Sequence, residues 1–123
     1  MLSKLHLLFI CNANVNRSRT AAALFENSPN YEARSAGVNP LELPLFETKP
    51  VTQRLIDWAD KIFVMDEERE KQLTYLRTNF NVTGKHIQVL GIPDTYNVLL
   101  AKSYEELKKI LQDKLQEYLA NKL

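Results

Sequence analysis

Five residues separate the only cysteine from an arginine, and a hydroxyl follows at once: Cys11-Asn12-Ala13-Asn14-Val15-Asn16-Arg17-Ser18. This C-x5-R-[ST] spacing suits nucleophilic attack on a phosphate ester. Five intervening residues can curl so that their backbone N–H groups converge on one centre and bind an anion. Asn12, Ala13, Asn14, Val15, Asn16 and Arg17 are therefore the candidate phosphate-binding residues. A helix starting behind the loop adds the positive end of its dipole. Arg17 can reach back and hold two phosphate oxygens with its planar fork. The same field favours the charged, nucleophilic form of Cys11. Ser18 can donate to that sulfur and steady it as a leaving group. With six arginines and twelve serines or threonines in the chain, this arrangement after the lone cysteine arises by chance about 0.5% of the time. The plain alternative is a cysteine packed as a small hydrophobe, with Arg17 and Ser18 on a solvated first turn.

The elements that must position this loop are legible as alternating strands and helices. Leu5 to Ile10 is an apolar run of strand length. From Arg17, the run Ala21-Ala22-Ala23-Leu24-Phe25 favours a helix, which Asn27-Ser28-Pro29-Asn30 stops. Tyr31 to Ala36 reads as a second strand closed by Gly37. Val38 to Lys49 is a long loop, and loops of that size are often functional. Pro50 suits the first turn of a helix running to about Ala59, with Val51, Leu55 and Trp58 on one face. Lys61 to Met65 is a third strand. Asp66 is a good N-cap for a following helix, with Glu67 and Glu68 in its first turn and Leu73, Leu76 and Phe80 as its apolar stripe. His86 to Leu90 is a fourth strand and Gly91 to Lys102 a loop. Ser103 and Glu106 form a capping box for a last helix carrying Tyr104, Leu107, Leu111, Leu115 and Tyr118. The order β-α-β-α-β-α-β-α predicts an α/β fold of three layers, with a parallel sheet covered by helices on both faces. Ligands bind such sheets outside the carboxyl ends of the strands. Cys11, Gly37, Asp66 and Gly91-Ile92-Pro93-Asp94 lie at that edge.

A poor leaving group needs a proton at its departing oxygen. Asp94, in a loop at the carboxyl edge, is the candidate acid, although aspartate is also common in plain turns. Tyr96 can stack on a substrate ring or pack beneath its loop. Asp66 reads as a cap, Asp60 as a turn residue, and His6 and His86 as strand residues that pack or hydrogen-bond instead of reacting. Leu43, Leu45 and Phe46 can form an apolar substrate wall or tuck inward. The acids from Asp66 to Glu70 read as a solvated helix start. One cysteine and two scattered histidines make no metal-ligand set, so no metal and no cofactor is expected.

The chain has 123 residues, 45% hydrophobic and 25% charged, with a net charge of +1. That is the length of one domain, taken as residues 1–123, and the balance of an ordinary globular chain. Disordered, collagen-like and disulfide-scaffold classes are excluded. The longest apolar run, Leu7 to Cys11, is far below a membrane span, and Met1 to Phe9 is too short for an export signal. No basic stripe marks a nucleic-acid partner. A lone cysteine without an export signal suits a reducing cytoplasm.

The chain resembles the low-molecular-weight protein tyrosine phosphatases, and more closely a short bacterial branch of them. Their loop reads C-x-G-N-x-C-R-S, so Cys11 takes the place of the nucleophile, Asn14 that of the loop asparagine, and Arg17-Ser18 that of the Arg-Ser pair. Ser35-Ala36-Gly37 is similar to the family's Ser-Ala-Gly, and Met65-Asp66-Glu67 to the Met-Asp-Glu ending its third strand. Asp94-Thr95-Tyr96 resembles the Asp-Pro-Tyr that carries the general acid. The resemblance implies a four-stranded sheet of order 2-1-3-4. It also implies hydrolysis of phosphotyrosine proteins or small phosphomonoesters through a phosphocysteine, with inhibition by oxyanions such as phosphate or vanadate. Four positions depart from the pattern: Ala13 replaces glycine, Asn16 the second cysteine, Arg19 the proline after Arg-Ser, and Thr95 the proline of the acid loop. Because alanine resists φ > 0, Asn12, Asn14 or Asn16 is expected to take the left-handed conformation. Competing functions are arsenate reduction with an external thiol, a non-catalytic phosphate-binding module, a phosphocysteine carrier and a thiol redox sensor. Arg17 and Asp94 speak against the carrier.

Overall fold

The computed structural model describes residues 4–41 and 47–119. The proposed apolar wall of Leu43, Leu45 and Phe46 lies outside those residues. The elements run β1 (Leu5–Cys11), α1 (Arg17–Ala23), β2 (Tyr31–Gly37), α2 (Gln53–Trp58), β3 (Lys61–Val64), α3 (Gln72–Asn79), β4 (His86–Val89) and α4 (Ala101–Leu115). The four strands form one parallel sheet in the order β2-β1-β3-β4. Both the α/β class and the expected strand order hold.

β1 is central, and its alternation sorts the core into two layers. Leu7, Phe9 and Cys11 face one side, with Phe63 and Met65, against Ala21 of α1 and Leu107, Leu111 and Leu115 of α4. Leu8 and Ile10 face the other, with Ile62 and Val64, against Ile56 of α2 and Leu76 of α3. Both faces of β1 are buried, which explains its unbroken apolar run. The last rung between β1 and β2 pairs Cys11 with Gly37. All strand ends therefore deliver their loops to one edge, as the pattern required.

Three helix starts differ from expectation. α2 begins at Gln53, because Thr52 caps it by accepting from the Leu55 amide at 3.2 Å. Pro50 instead bridges to Gly37 beside the sheet. Asp66 does cap, but it caps a turn, accepting from the amides of Arg69 and Glu70 at 2.9 and 2.6 Å. Lys71 then takes a left-handed conformation, and α3 starts only at Gln72. Ser103 lies inside α4, whose N-cap is Leu100, and accepts from the Asn97 amide at 2.8 Å instead of closing a capping box. Only at Pro50 does a longer-range contact, the bridge to Gly37, compete with the local signal; Asp66 and Ser103 are engaged by amides three to six residues away. Among the described residues no helix is long and apolar enough to cross a membrane.

Candidate functional site

The loop from Cys11 to Arg17 is held by the chain that leaves β2. The amides of Val38, Asn39 and Leu41 donate to the carbonyls of Cys11, Asn12 and Ala13 at 3.1, 2.8 and 3.2 Å. In a trans peptide the carbonyl and the following N–H point in opposite directions. The Asn12, Ala13 and Asn14 amides therefore face away from that strap, on the side where an anion can collect them. Gly37 makes the close approach possible. A Cβ there would lie 2.7 Å from the Asn12 carbonyl oxygen and 2.9 Å from the Asn14 nitrogen.

Asn14 carries the left-handed turn of the loop at φ 58°, which resolves the three-way choice among the asparagines. Its side chain is buried and fully employed. Oδ1 accepts from the Lys49 amide at 2.8 Å, so Nδ2 faces the two hydroxyls. Nδ2 donates to Ser18 Oγ at 2.8 Å and to Ser35 Oγ at 3.1 Å. Ser18 Oγ lies 2.9 Å from Cys11 Sγ. With one Ser18 lone pair taken by Asn14, the Ser18 proton is directed at the sulfur whenever the sulfur is ionised. Cys11 sits at the floor of the site, only 2% exposed. Ser35 and Gly37 of β2 thus do more than support the fold: they shape and orient the loop.

Arg17 is also 2% exposed, and its five N–H donors can be accounted for one by one. Nη1 and Nη2 engage the two Glu70 oxygens at 2.7 and 3.0 Å in an end-on fork. Nη1 uses its second hydrogen on the Ile92 carbonyl at 2.8 Å. That leaves Nε–H and the second Nη2–H, which lie parallel on the remaining edge and match two oxygens of a phosphate. Asp94 Oδ1 stands 3.8 Å from Nε on that same edge, on a side chain 58% exposed. Burial pulls the Arg17 pKa down, but the Glu70 hydrogen bond and the charges of Cys11, Glu70 and Asp94 outweigh it, and the net shift is upward. The guanidinium stays charged.

Asn16 ties the loop to the segment after β4: its Oδ1 accepts from the Val98 amide at 3.1 Å. Beside Arg17 a cleft of about 670 Å³ opens, lined by Asp66, Glu67, Glu68, Arg69, Glu70, Pro93, Asp94 and Thr95 among others.

Cys11, Arg17, Ser18, Asn14 and Asp94 therefore converge. Tyr96 is half-buried against the core layer of α4, in keeping with packing beneath its loop. His6 stacks on Trp58 at 4.3 Å and bonds its carbonyl, and Asp60 accepts from the His6 amide, both away from the site. His86 is exposed at the start of β4. Among the described residues no group of three metal-ligating side chains occurs. The reading of the Asp66–Glu70 acids as a solvated face fails at Glu70, whose carboxylate is bound by Arg17. Sequence spacing carried no signal for that pairing across 53 positions.

The fold matches several solved structures. Wzb from Vibrio vulnificus, in complex with benzylphosphonate, aligns with 94% of this chain and 97% of its own at 17% identity and a TM-score of 0.70. A low molecular weight protein tyrosine phosphatase from T. tengcongensis aligns with 94% of this chain and all of its own (100%) at 20% identity and a TM-score of 0.65. The YwlE arginine phosphatase from Geobacillus stearothermophilus aligns with 92% of this chain and 91% of its own at 23% identity and a TM-score of 0.56. The chain thus has the fold of the low-molecular-weight protein tyrosine phosphatases. No family model matches it, and neither does any curated protein.

Proposed function

We propose that this protein is a cysteine-dependent phosphomonoester hydrolase that works through a phosphocysteine and acts on phosphotyrosine. The observation that carries the reading is a buried arginine whose Nε/Nη2 edge, faced by Asp94 at 3.8 Å, makes no hydrogen bond among the described residues, on the same loop as a cysteine bonded to a serine hydroxyl. The ionised Cys11 sulfur attacks phosphorus as the P–O bond to the leaving group breaks. The 12–17 amides and Arg17 hold the equatorial oxygens, where charge is spread in the transition state. Asp94 gives its proton to the departing phenolic oxygen. It then takes a proton from the water whose oxygen attacks phosphorus; the new P–O bond forms as the S–P bond breaks, releasing inorganic phosphate and restoring the thiolate, which Ser18 stabilises.

The test is metal-free hydrolysis of para-nitrophenyl phosphate across pH 5 to 8 by wild type, Cys11→Ser and Asp94→Asn. Cys11→Ser is expected to abolish turnover and Asp94→Asn to reduce it strongly. No turnover in wild type, with phosphate or vanadate still bound, would leave a phosphate-binding module. Arsenate reduction with added glutathione would then be assayed.

The acidic lining of the cleft favours a second substrate. Besides the Arg17-paired Glu70, four acidic side chains (Asp66, Glu67, Glu68 and Asp94) line the cleft together with Arg69. A leaving group carrying positive charge, such as the guanidinium of phosphoarginine, suits that wall better than a neutral phenol. Matched phosphotyrosine and phosphoarginine peptides, compared by kcat/KM, decide between the two.

A further inference from the structure

We infer that Glu70 is the positioning residue for Arg17: it turns the guanidinium so that the Nε/Nη2 edge, and no other, meets the substrate phosphate. This rests on the phosphatase reading above.

An arginine on a long flexible stem can present any of its edges, and three acceptors here remove that freedom. Glu70 takes both ends of the Nη1/Nη2 edge at 2.7 and 3.0 Å, and the Ile92 carbonyl takes the outer Nη1 hydrogen at 2.8 Å. The guanidinium plane and its rotation are both set, because a bidentate carboxylate fixes orientation as well as distance. Glu70 is itself held. The Asp66 carboxylate accepts from the Glu70 amide at 2.6 Å and the Arg69 amide at 2.9 Å, closing the turn that carries Glu70 toward the loop. Glu70 is largely shielded, with 18% of its side chain exposed, so its pairing is weakly screened by solvent.

The sign of the effect separates positioning from charge. A carboxylate beside an anion site repels the anion, so deleting it should tighten phosphate binding if charge alone matters. If Glu70 positions Arg17, deleting it weakens binding in spite of the charge gained. Misplacing a gripping group by about 1 Å can cost up to roughly a hundredfold.

The experiment measures three quantities on wild type, Glu70→Ala and Glu70→Gln: inorganic phosphate affinity by calorimetry, kcat and KM with para-nitrophenyl phosphate, and the Arg17 guanidinium signals by ¹⁵N NMR. Glu70→Ala is expected to bind phosphate about tenfold more weakly, with lower kcat and higher KM. Its Nη signals should show free rotation where wild type shows hindered rotation. Glu70→Gln keeps an acceptor for one Nη and should recover most of both losses. If Glu70→Ala does not fold, Glu70→Met keeps the volume without a carboxylate and carries the same expectation. Equal or tighter phosphate binding with unchanged kcat, or hindered Nη rotation surviving in Glu70→Ala, overturns the inference. Wild type that neither binds phosphate nor turns over sinks the phosphatase reading instead, and the guanidinium signals still decide whether Glu70 holds Arg17.

Discussion

Replacing Gly37 by alanine adds one methyl group where β2 meets the loop between Cys11 and Arg17. Its Cβ would stand 2.7 Å from the Asn12 carbonyl oxygen, 2.9 Å from the Asn14 nitrogen and 3.0 Å from the Asn14 Cβ, against an ordinary contact of 3.4 Å or more. Two of the three are backbone atoms, so no side chain can swing aside. The loop or the strand must move by about 0.7 Å at the closest point, and the bonds from Val38, Asn39 and Leu41 to the loop carbonyls resist that motion. Overpacking of this kind costs about 1–3 kcal/mol. For a chain of this size that is a fall in Tm of about 4–12 °C. The displaced atoms belong to the proposed anion cradle, so phosphate affinity and kcat/KM should fall by about 10- to 100-fold, although every reactive side chain is still present. Thermal unfolding, phosphate calorimetry and para-nitrophenyl phosphate kinetics measure all three. A Gly37→Ala protein with wild-type Tm and wild-type phosphate affinity would show slack between strand and loop and refute this account.

Asn14→Ala removes bonds to Ser18, Ser35 and the Lys49 amide together. It should destabilise the fold by about 2–4 kcal/mol in urea titrations, whereas Asn14→Gly, which accepts φ > 0, should lose less. Gln72→Leu strips the partner from the Met65 and Asp66 amides, which the Gln72 oxygen holds at 2.8 and 2.9 Å. The cost should be about 1–3 kcal/mol by the same titration, moderated because the buried Gln72 Nε2 has no partner among the described residues. Glu67 is held below its ordinary pKa near 4.5 by the Thr74 hydroxyl and amide. Its contribution to stability is therefore complete above about 4.5 and is lost as pH falls through the lowered value. A ¹³C titration of the Glu67 carboxyl should place its midpoint under 4.5, and Thr74→Ala should raise it.

Much of this architecture was legible because it is local. The apolar run of β1, the polar asparagine-rich loop and the helix α1 with its alanine run adjoin in sequence, so strand, loop and helix could be read together around Cys11, Arg17 and Ser18. Asp94 followed from its place after the fourth strand. Glu70 could not be read the same way. An acid near Asp66 looks like any solvated helix start until the sheet brings it under Arg17. Ser35 and Gly37 were visible as a motif, but their contacts with Asn14 and Asn12 exist only once β2 lies beside β1. The helix starts slipped for two reasons: Pro50 is claimed by Gly37 of β2, whereas Ser103 is taken by the nearby Asn97 amide.

The bond from Asn16 to Val98 joins two loops. Asn16 stands where the related loop motif has its second cysteine, and its carboxamide clips the segment following Asp94 to the loop that follows Cys11. Thr95, where the motif has a rigid proline, removes one constraint on that segment; the clip restores another. The loop between Cys11 and Arg17 and the segment after Asp94 are thus joined across 82 positions by one hydrogen bond, so a displacement of either pulls on the other.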